Sequence, residues 1–158
     1  MGKGDLGLTD LFGGKRVSKT DRRVKLNALI DELSALLGLL KSGLKAKRTK
    51  NDISAAQTGL ARAAGAVAGT KISLDREILQ LETLITEYAS EIKPPKKFTL
   101  PGANKAEALA HLALARARVC EILSWEIKAK APAVYLNRLS DYLFLVALKS
   151  VRGTRQAP

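Results

Sequence analysis

The first twenty residues of the chain combine cations, hydroxyl groups and glycines in a way that suits polyphosphate binding. Lys15, Arg16 and Lys19 supply positive charge, and Thr9 and Ser18 add hydroxyl groups. Glycine reaches backbone conformations that a Cβ atom forbids, so its N–H group can approach phosphate oxygens closely. The glycines of this segment are Gly4, Gly7, Gly13 and Gly14. The spacing matches neither a Walker motif nor a Rossmann fingerprint. Judged by spacing alone, the segment is more simply explained as a flexible basic terminus.

A second group of polar side chains shares one stripe of a predicted helix. His111, Arg118 and Glu121 fall at helical steps, with Leu114 and Trp125 on the same stripe. These side chains could therefore face one cleft. Taken alone, a histidine in this setting is more often packed or capping than catalytic. Glu121 could likewise serve only as the ionic partner of Arg118.

Four further residues could contribute to a site, and each also has a plainer interpretation. Asn137 and Asp141 lie four residues apart on one helical face, where Arg138 could reach Asp141. Such a pair within a helix contributes only about 0.2–0.5 kcal/mol. Asp31 alone is most simply a solvated helix carboxylate. Phe98 stands in a loop between two predicted helices, where an aromatic ring usually forms a hydrophobic lid.

Apolar residues that recur at steps of three and four predict five helices, which would position these side chains. Gly43 and Asn51 are stop and restart signals on either side of a basic break between the first two helices. The predicted ranges are about 21–43, 51–69, 74–92, 104–130 and 133–152.

Capping and breaking residues support these boundaries. Ser73 is predicted to cap the third helix, and Asn104 followed by Glu107 resembles a capping box that opens the fourth. The Pro94–Pro95 pair ends the third helix because proline lacks the N–H group that the helical ladder needs. Pro132 is predicted to break the fourth helix for the same reason.

Five helices without sustained strand alternation predict an all-α fold, an up-and-down five-helix bundle. Residues 1–20 lack helical periodicity and are predicted to form a glycine-rich basic loop ahead of a bundle at 21–153. A length of 158 residues suits one core, so residues 1–158 are expected to form a single domain.

The composition limits the classes of partner and location. A net charge of +12 and a pI near 10.0 indicate an anionic partner, although solubility alone could also account for the charge. One cysteine, Cys120, excludes an internal disulfide and a multi-cysteine zinc site, and its helical position predicts a buried thiol. The segment YLFLVAL is too short to span a bilayer, and no apolar run resembling a signal peptide opens the chain. A cytoplasmic location without a membrane partner is therefore expected.

Three separated blocks, in order along the chain, carry a family resemblance. They are GDLGLTDLFGGKRVSK at 4–19, FTLPG at 98–102 and YLNRLSDYLF at 135–144. Together they resemble the PduO-type ATP:cob(I)alamin adenosyltransferases. The resemblance implies the helical bundle fold, and it implies ATP, Mg²⁺ and cobalamin as the small molecules that the chain binds.

The resemblance also assigns roles to individual positions. The opening block corresponds to the family's ATP-binding loop, and Phe98 corresponds to the aromatic residue that lines the corrin face. Asp31 corresponds to a carboxylate beside the corrin. The implied catalytic positions are Arg118, Asp31 and Asn137. The implied nucleotide- and corrinoid-binding positions are Gly4, Asp5, Gly7, Thr9, Gly14, Lys15, Arg16, Lys19, Phe98, His111, Glu121 and Asn137.

The implied reaction is attack of cob(I)alamin on the ribose C5′ atom of ATP, which forms adenosylcobalamin and releases triphosphate. Since cobalt(I) is itself a strong nucleophile, the protein is expected to orient the substrates, exclude water and stabilise charge on the leaving group. Mg²⁺ would bridge phosphate oxygens, and no metal site of the protein's own is expected. Family members are homotrimers with active sites between subunits, so the loop of one chain would meet the fourth helix of its neighbour.

Several positions depart from the family pattern, and Leu114 matters most. The family carries an arginine there, which pairs with the carboxylate matched by Asp31. Arg116 lies two residues further on, about 200° around the helix, and could replace that arginine only if the helix register shifted. The departures are at Lys3, Lys25, Ala28, Leu114 and Val119.

Two alternatives therefore stay open beside a working adenosyltransferase. One is a paralogue that binds nucleotide or corrinoid without efficient catalysis, as the grouped departures indicate. The other is a basic helical bundle that binds nucleic acid through the KAKRTK run at 45–50. The chain contains no recognisable nucleic-acid motif, which makes a nucleic-acid partner the less favoured of the two.

Overall fold

Helices account for most of the chain in the computed structural model, which describes residue 2 and residues 4–92 and 100–152. The helices are α1 (Arg22–Gly43), α2 (Lys47–Val67), α3 (Asp75–Glu91), α4 (Lys105–Glu126) and α5 (Lys130–Arg152). An antiparallel hairpin precedes them, with strands β1 (Leu8–Asp10) and β2 (Arg16–Ser18) on either side of a 3-10 turn (Phe12–Gly14). The predicted all-α fold with five helices is confirmed.

Ion pairs between α2 and α3 show that these two helices are antiparallel. Arg62, near the end of α2, pairs with Glu77 at the start of α3, with 2.9 Å between Nε and Oε1. Arg48, near the start of α2, pairs with Glu91 at the end of α3. Because the paired residues follow each other in opposite order along the two helices, the helices must point in opposite directions.

By the same argument α3 and α5 are parallel. Arg138 pairs with Glu82, and further along both helices Lys149 pairs with Glu91. The connections 44–46 and 127–129 are so short that α1 and α2, and likewise α4 and α5, are antiparallel neighbours. Helix direction therefore alternates along the chain, which confirms the up-and-down arrangement.

The bundle has two ends that differ in what they carry. The hairpin, the start of α1 and the end of α4 lie at one end, and Arg22 and Glu126 join them with 3.7 Å between Nη1 and Oε2. This is called the hairpin end. The α1–α2 connection, the start of α4 and the end of α5 lie at the opposite end, called the turn end.

Helix α5 supplies the centre of the core because it packs against α2, α3 and α4 together. Its buried hydrophobic residues cover more than one face, whereas α1 buries a single stripe at three- and four-residue steps. The buried stripe of α1 consists of Leu26, Ile30, Leu33, Leu37 and Leu40.

Three sequence-based boundaries were wrong. Residues 8–10 and 16–18 form paired strands instead of loop, because three residues are too few to show alternation in a sequence. Helix α2 begins at Lys47, so Asn51 lies inside it. Helix α4 already ends at Glu126, and Pro132 lies in the first turn of α5, where its missing N–H group costs no helical hydrogen bond.

The predicted Asn104 cap is present, whereas the N-cap of α3 is Leu74 instead of the predicted Ser73. The Oδ1 atom of Asn104 accepts the N–H group of Glu107 at 2.9 Å, as a capping box requires. The returning carboxylate of Glu107 accepts the N–H groups of Gly102 and Ala103 instead of that of the cap residue. The Oγ atom of Ser73 accepts the N–H group of Asp75, although the helix begins only at Asp75.

Burial of Cys120 confirms the predicted packed thiol. The side chain is fully buried within the core of the bundle. Burial disfavours the thiolate and raises the pKa of Cys120 to about 11. This thiol is therefore inert at neutral pH while the bundle is folded.

A close approach between two helices holds α5 against α2. Tyr135 of α5 donates a hydrogen bond from its hydroxyl to the carbonyl oxygen of Ala56 at 2.7 Å. Its ring lies directly against Gly59, where a Cβ atom would meet the hydroxyl oxygen. Only glycine at this position leaves room for the buried ring.

Asp21 joins the hairpin to α1 and caps that helix. Its Oδ1 atom accepts the N–H group of Arg23 at 2.9 Å, and the Arg23 guanidinium bonds both carboxylate oxygens. These hydrogen bonds to the Arg23 side chain and backbone lower the pKa of Asp21 to about 2. The charged carboxylate is thus the form that the folded chain favours.

We expect Gly59→Ala to destabilise the bundle by about 1–3 kcal/mol, the usual cost of overpacking a core. The added methyl group would displace the Tyr135 ring, and this loss outweighs the helix propensity that alanine gains. Gly38→Ala is the matched control, since its Cβ atom would meet only Gln57 at 3.5 Å, an ordinary contact. Urea unfolding followed by circular dichroism measures both; equal stabilities for the two variants would contradict the close-approach argument.

The stability difference between the wild type and Asp21→Asn should depend on pH. The pKa of Asp21 is lower when folded than its ordinary value of 3.8, so its contribution is complete above about pH 4 and is lost as the pH falls towards 2. Unfolding midpoints in urea, measured across this range, should therefore converge at acid pH. Asp141→Asn controls for loss of an exposed carboxylate. A difference for Asp21→Asn that stays constant down to pH 2 would contradict the expectation.

Candidate functional site

The hairpin presents its cations to solvent. Its register pairs Thr9 with Val17 and Asp10 with Arg16. Val17 is buried, so the alternation of side chains along β2 places Arg16 on the outer face. Lys15 is exposed beside it. Asp10 lies 3.7 Å from Arg16 on the surface, and such an exposed pair restrains the guanidinium only weakly.

Glycines shape this hairpin in two ways. Gly7, Gly13 and Gly14 have φ angles of 70°, 80° and 76°, in the left-handed region that other residues rarely adopt. Gly4 allows the ammonium group of Lys19 to lie against the backbone, since a Cβ atom there would stand 3.1 Å from Nζ. Three glycines of the hairpin thus have the backbone conformations that glycine permits, and Gly4 leaves room for the Lys19 ammonium group.

Two short hydrogen bonds organise the segment that precedes β1. The carboxylate of Asp5 accepts the N–H group of Gly2 at 2.6 Å. The N–H group of Lys19 donates to the carbonyl oxygen of Gly7 at 2.8 Å, which closes the base of the hairpin. Gly4, Lys15, Arg16 and Lys19 thus belong to one folded unit.

On α4, His111 is held by its own helix and by α5. Its Nε2 atom lies 3.2 Å from Oε1 of Glu107, which is itself buried. The His111 ring meets the ring of Phe144 edge to face, with centroids 6.4 Å apart. Phe144 is partly exposed on the α5 face that also carries Asn137, seven residues earlier. Sequence reasoning missed Phe144 as a site residue, although this seven-residue spacing could have indicated it.

A chain of hydrogen bonds joins α3, α5 and α4 through Asn137. The Nδ2 atom of Asn137 donates to Glu121 at 3.3 Å, and Nη1 of Arg138 donates to Oδ1 of Asn137 at 2.6 Å. Arg138 also bonds Glu82 of α3 at 2.9 Å. Trp125 adds a longer bond to Glu121. Asn137 is thereby fixed between two charged side chains.

Two sequence-based pairings were not found. Arg138 contacts Glu82 and Asn137 and not Asp141. Glu121 bonds Asn137 and Trp125 and not Arg118. The contacts of Arg138 with Glu82 and of Glu121 with Asn137 join different helices, where spacing along one helix gives no information.

Arg118 lies on the stripe shared with His111 and Glu121, and its side chain is exposed. Within residues 4–92 and 100–152, Arg118 has no ion-pair partner. Its guanidinium is therefore available for an anion that does not belong to the chain. Exposed apolar residues flank it on the next stripe of α4, with exposed fractions of 51% for Leu112, 41% for Val119 and 59% for Ile122.

The α1–α4 contact explains what replaces the family's usual ion pair. Leu114 is only 7% exposed and packs in the core. Arg116 donates to Glu32 at 2.9 Å instead of to Asp31. Asp31 is exposed and has no bonded partner within the described ranges. Compared with the expected pair of Asp31 and an arginine at position 114, the ion pair is thus displaced by one residue on α1 and by two on α4.

Phe98 and Lys3, and the Pro94–Pro95 pair that was predicted to end the third helix, lie outside the described residues. The described chain resumes with Leu100, which is 82% exposed, and Gly102, whose N–H group bonds Glu107. Among residues 2, 4–92 and 100–152, no three His, Cys, Asp or Glu side chains are grouped so that they could hold a metal ion. In the same residues, no helix combines the length and the apolar character needed to cross a bilayer.

Comparison with known proteins places the chain in one family. A family model described as cobalamin adenosyltransferase matches residues 1–150. A corrinoid adenosyltransferase from Bacillus subtilis is 35% identical over 158 residues, covering 91% of this chain and 81% of that protein. A corrinoid adenosyltransferase from Citrobacter freundii is 32% identical over 158 residues, covering 91% and 89%.

A solved structure shares the fold over nearly the whole chain. It is a variant PduO-type ATP:corrinoid adenosyltransferase from Lactobacillus reuteri, complexed with cobalamin and ATP. Its TM-score to this chain is 0.89 at 25% identity, with 98% of this chain and 94% of that chain covered. The match in family model, sequence and fold shows that the chain belongs to the cobalamin adenosyltransferase family.

Proposed function

We propose that this protein transfers the 5′-deoxyadenosyl group of ATP to a cob(I)alamin. The cobalt(I) electron pair forms the new Co–C bond to C5′. The bond between C5′ and the triphosphate oxygen breaks, and triphosphate leaves with the electron pair of that C–O bond. The observation that carries the proposal is the combination of a glycine-shaped cationic hairpin with an exposed Arg118, which has no ion-pair partner among the described residues, in a chain of this family.

The hairpin is the proposed nucleotide site. Lys15, Arg16 and Lys19 would meet the triphosphate, while Gly4, Gly7 and Gly14 let the backbone approach it. Asp5 and Thr9 belong to the same unit. Mg²⁺ would arrive on the triphosphate, whose oxygens and water supply most of the ligands that this ion prefers. The scarcity of free carboxylates in the hairpin suits this arrangement, since Asp10 and Asp5 are already bonded.

The face formed by α4, α5 and the exposed carboxylate of α1 is the proposed corrinoid side. His111, Phe144 and Asn137 lie along the α4–α5 groove, and Glu121 fixes Asn137. Asp31 is proposed beside the corrin and Phe98 against its lower face, where an apolar ring would exclude a donor ligand. ATP and a strongly reduced corrinoid fit a cytoplasmic location, which is part of the proposal.

Little proton transfer is needed, so the chain's main task is to place the substrates and to stabilise charge on the leaving triphosphate. Arg118 is the residue best placed for that task, because it is exposed beside the fixed Glu121–Asn137 pair and its charge is not neutralised within the described chain. Removal of a comparable positioned donor slows turnover by about 100- to 1,000-fold in other enzymes.

We further propose a homotrimer in which the hairpin of one chain reaches α4 of its neighbour. The exposed apolar stripe of Leu112, Val119 and Ile122 supports this, because a subunit contact would remove it from water. Arg118 lies beside that stripe. A cation from α4 and the hairpin of another chain could then surround one triphosphate.

Leu114 favours a second possibility, a family member that binds its substrates but turns over slowly. The usual ion pair to Asp31 is missing, and Arg116 is engaged by Glu32. The same assay distinguishes the two possibilities.

The purified protein should convert chemically reduced cobalamin to adenosylcobalamin when MgATP is supplied, as followed in the visible spectrum. Arg118→Ala should lower kcat by about 100-fold or more. Arg76→Ala, which removes an exposed arginine from α3, should leave kcat unchanged. Saturable nucleotide binding without conversion would support the second possibility, a family member that turns over slowly. If neither substrate binds, the proposal is overturned.

Mixed assembly of two inactive variants tests the shared site. We expect Lys15→Ala/Lys19→Ala and Arg118→Ala to be inactive alone and to regain activity when co-expressed with different tags and purified through both. In a cyclic trimer that contains both variants, about one third of the interfaces keep both partners intact. Arg118→Ala co-expressed with itself is the control. If the mixed assembly stays as inactive as this control, the hairpin and α4 act within one chain.

A further inference from the structure

An open cavity of about 370 Å³ lies at the turn end of the bundle, opposite the end that carries the hairpin. It is bounded by the α1–α2 connection, the start of α4 and the end of α5, with Leu44, Ala106 and Val146 among its apolar walls. Its volume falls in the range of about 300–1,000 Å³ that is usual for small-molecule sites. Nothing in the proposed reaction uses this cavity.

The cations of the cavity are not all neutralised. Lys149 bonds Glu91 at 2.7 Å and lies 4.3 Å from the centre of the Tyr88 ring. Lys45 and Lys105 also line the cavity, and neither has a carboxylate partner within residues 4–92 and 100–152. None of the lining residues is acidic. The cavity therefore joins apolar walls to two uncompensated positive charges.

We propose that this cavity binds a small amphiphilic anion, with an apolar body against Leu44, Ala106 and Val146 and an anionic group at Lys45 and Lys105. The apolar body would gain about 25 cal/mol for each Å² removed from water. Each partly exposed ion pair would strengthen binding by about fivefold at most. The chemistry thus requires both parts in one molecule, because neither part alone would bind well.

The position of the cavity makes this site separate from the nucleotide site. Helix α1 has 22 residues, so it spans about 33 Å between the hairpin end and the turn end. An occupant of the cavity would therefore not touch ATP held at the hairpin of the same chain. The inference stands independently of whether the adenosyl transfer is efficient.

Nuclear magnetic resonance of the full ¹⁵N-labelled chain tests the proposal with octanoate as the probe. Backbone amide signals of residues 43–46 and 104–106 should shift and saturate. Octyl phosphate should produce the same shifts, which would show that the anion and not the carboxylate is recognised. Two matched probes lack one part each: 1-octanol has no charge and inorganic phosphate has no apolar body. Both should bind roughly tenfold or more weakly.

Two kinds of variant locate the binding. Lys45→Gln/Lys105→Gln should raise the Kd for octanoate roughly tenfold, as expected from losing two exposed ion pairs. Ala106→Leu should weaken it by filling the cavity. Lys71→Gln, at an exposed lysine of the α2–α3 connection, is the matched control and should leave the Kd unchanged. The proposal is overturned if the shifts fall on the apolar stripe of α4, if both cavity variants bind like the wild type, or if ATP displaces octanoate.

Discussion

The contact between Tyr135 and α2 at Gly59 fixes the position of α5, and much of the molecule depends on that helix. Because the buried ring allows only one depth and rotation, the residues that follow it are placed as well. Asn137 comes two residues later, about 200° around the helix, and therefore points away from α2 and towards α4. Phe144 follows on the same face. One missing Cβ atom on α2 thus sets the geometry of the α4–α5 groove.

Charged side chains at the surface of the bundle also restrain the α4–α5 groove. Glu82 on α3 orients Arg138, which orients Asn137, and Glu121 closes the series on α4. No single pair on an exposed surface is strong, but side chains that share partners restrain each other's rotation. The amide of Asn137 is consequently presented in one orientation before any substrate arrives. Such preorganisation is what transfer to a strong nucleophile requires, since little acid–base chemistry remains for the protein to supply.

The sequence predicted what depends on local periodicity and capping. The helix count, the Asn104 cap of α4 and the buried Cys120 all follow from spacing and residue type, and each is confirmed. It did not predict contacts between distant helices. Arg116 pairs with Glu32 and Arg138 with Glu82 because helix packing brings them together, and nothing in the local pattern distinguishes these partners from nearer ones. The hairpin was missed because its strands are too short to alternate visibly. The roles of the individual site residues stay predictions.

The position of Glu107 couples the motion of a loop to that of a histidine. One oxygen of its buried carboxylate accepts the N–H groups of Gly102, the last residue of the FTLPG block, and of Ala103. The other oxygen meets His111 one turn further along α4. The loop and the histidine are thus fastened to a single side chain. A ligand that displaces the loop would also shift the imidazole of His111, so the loop and the histidine would move together.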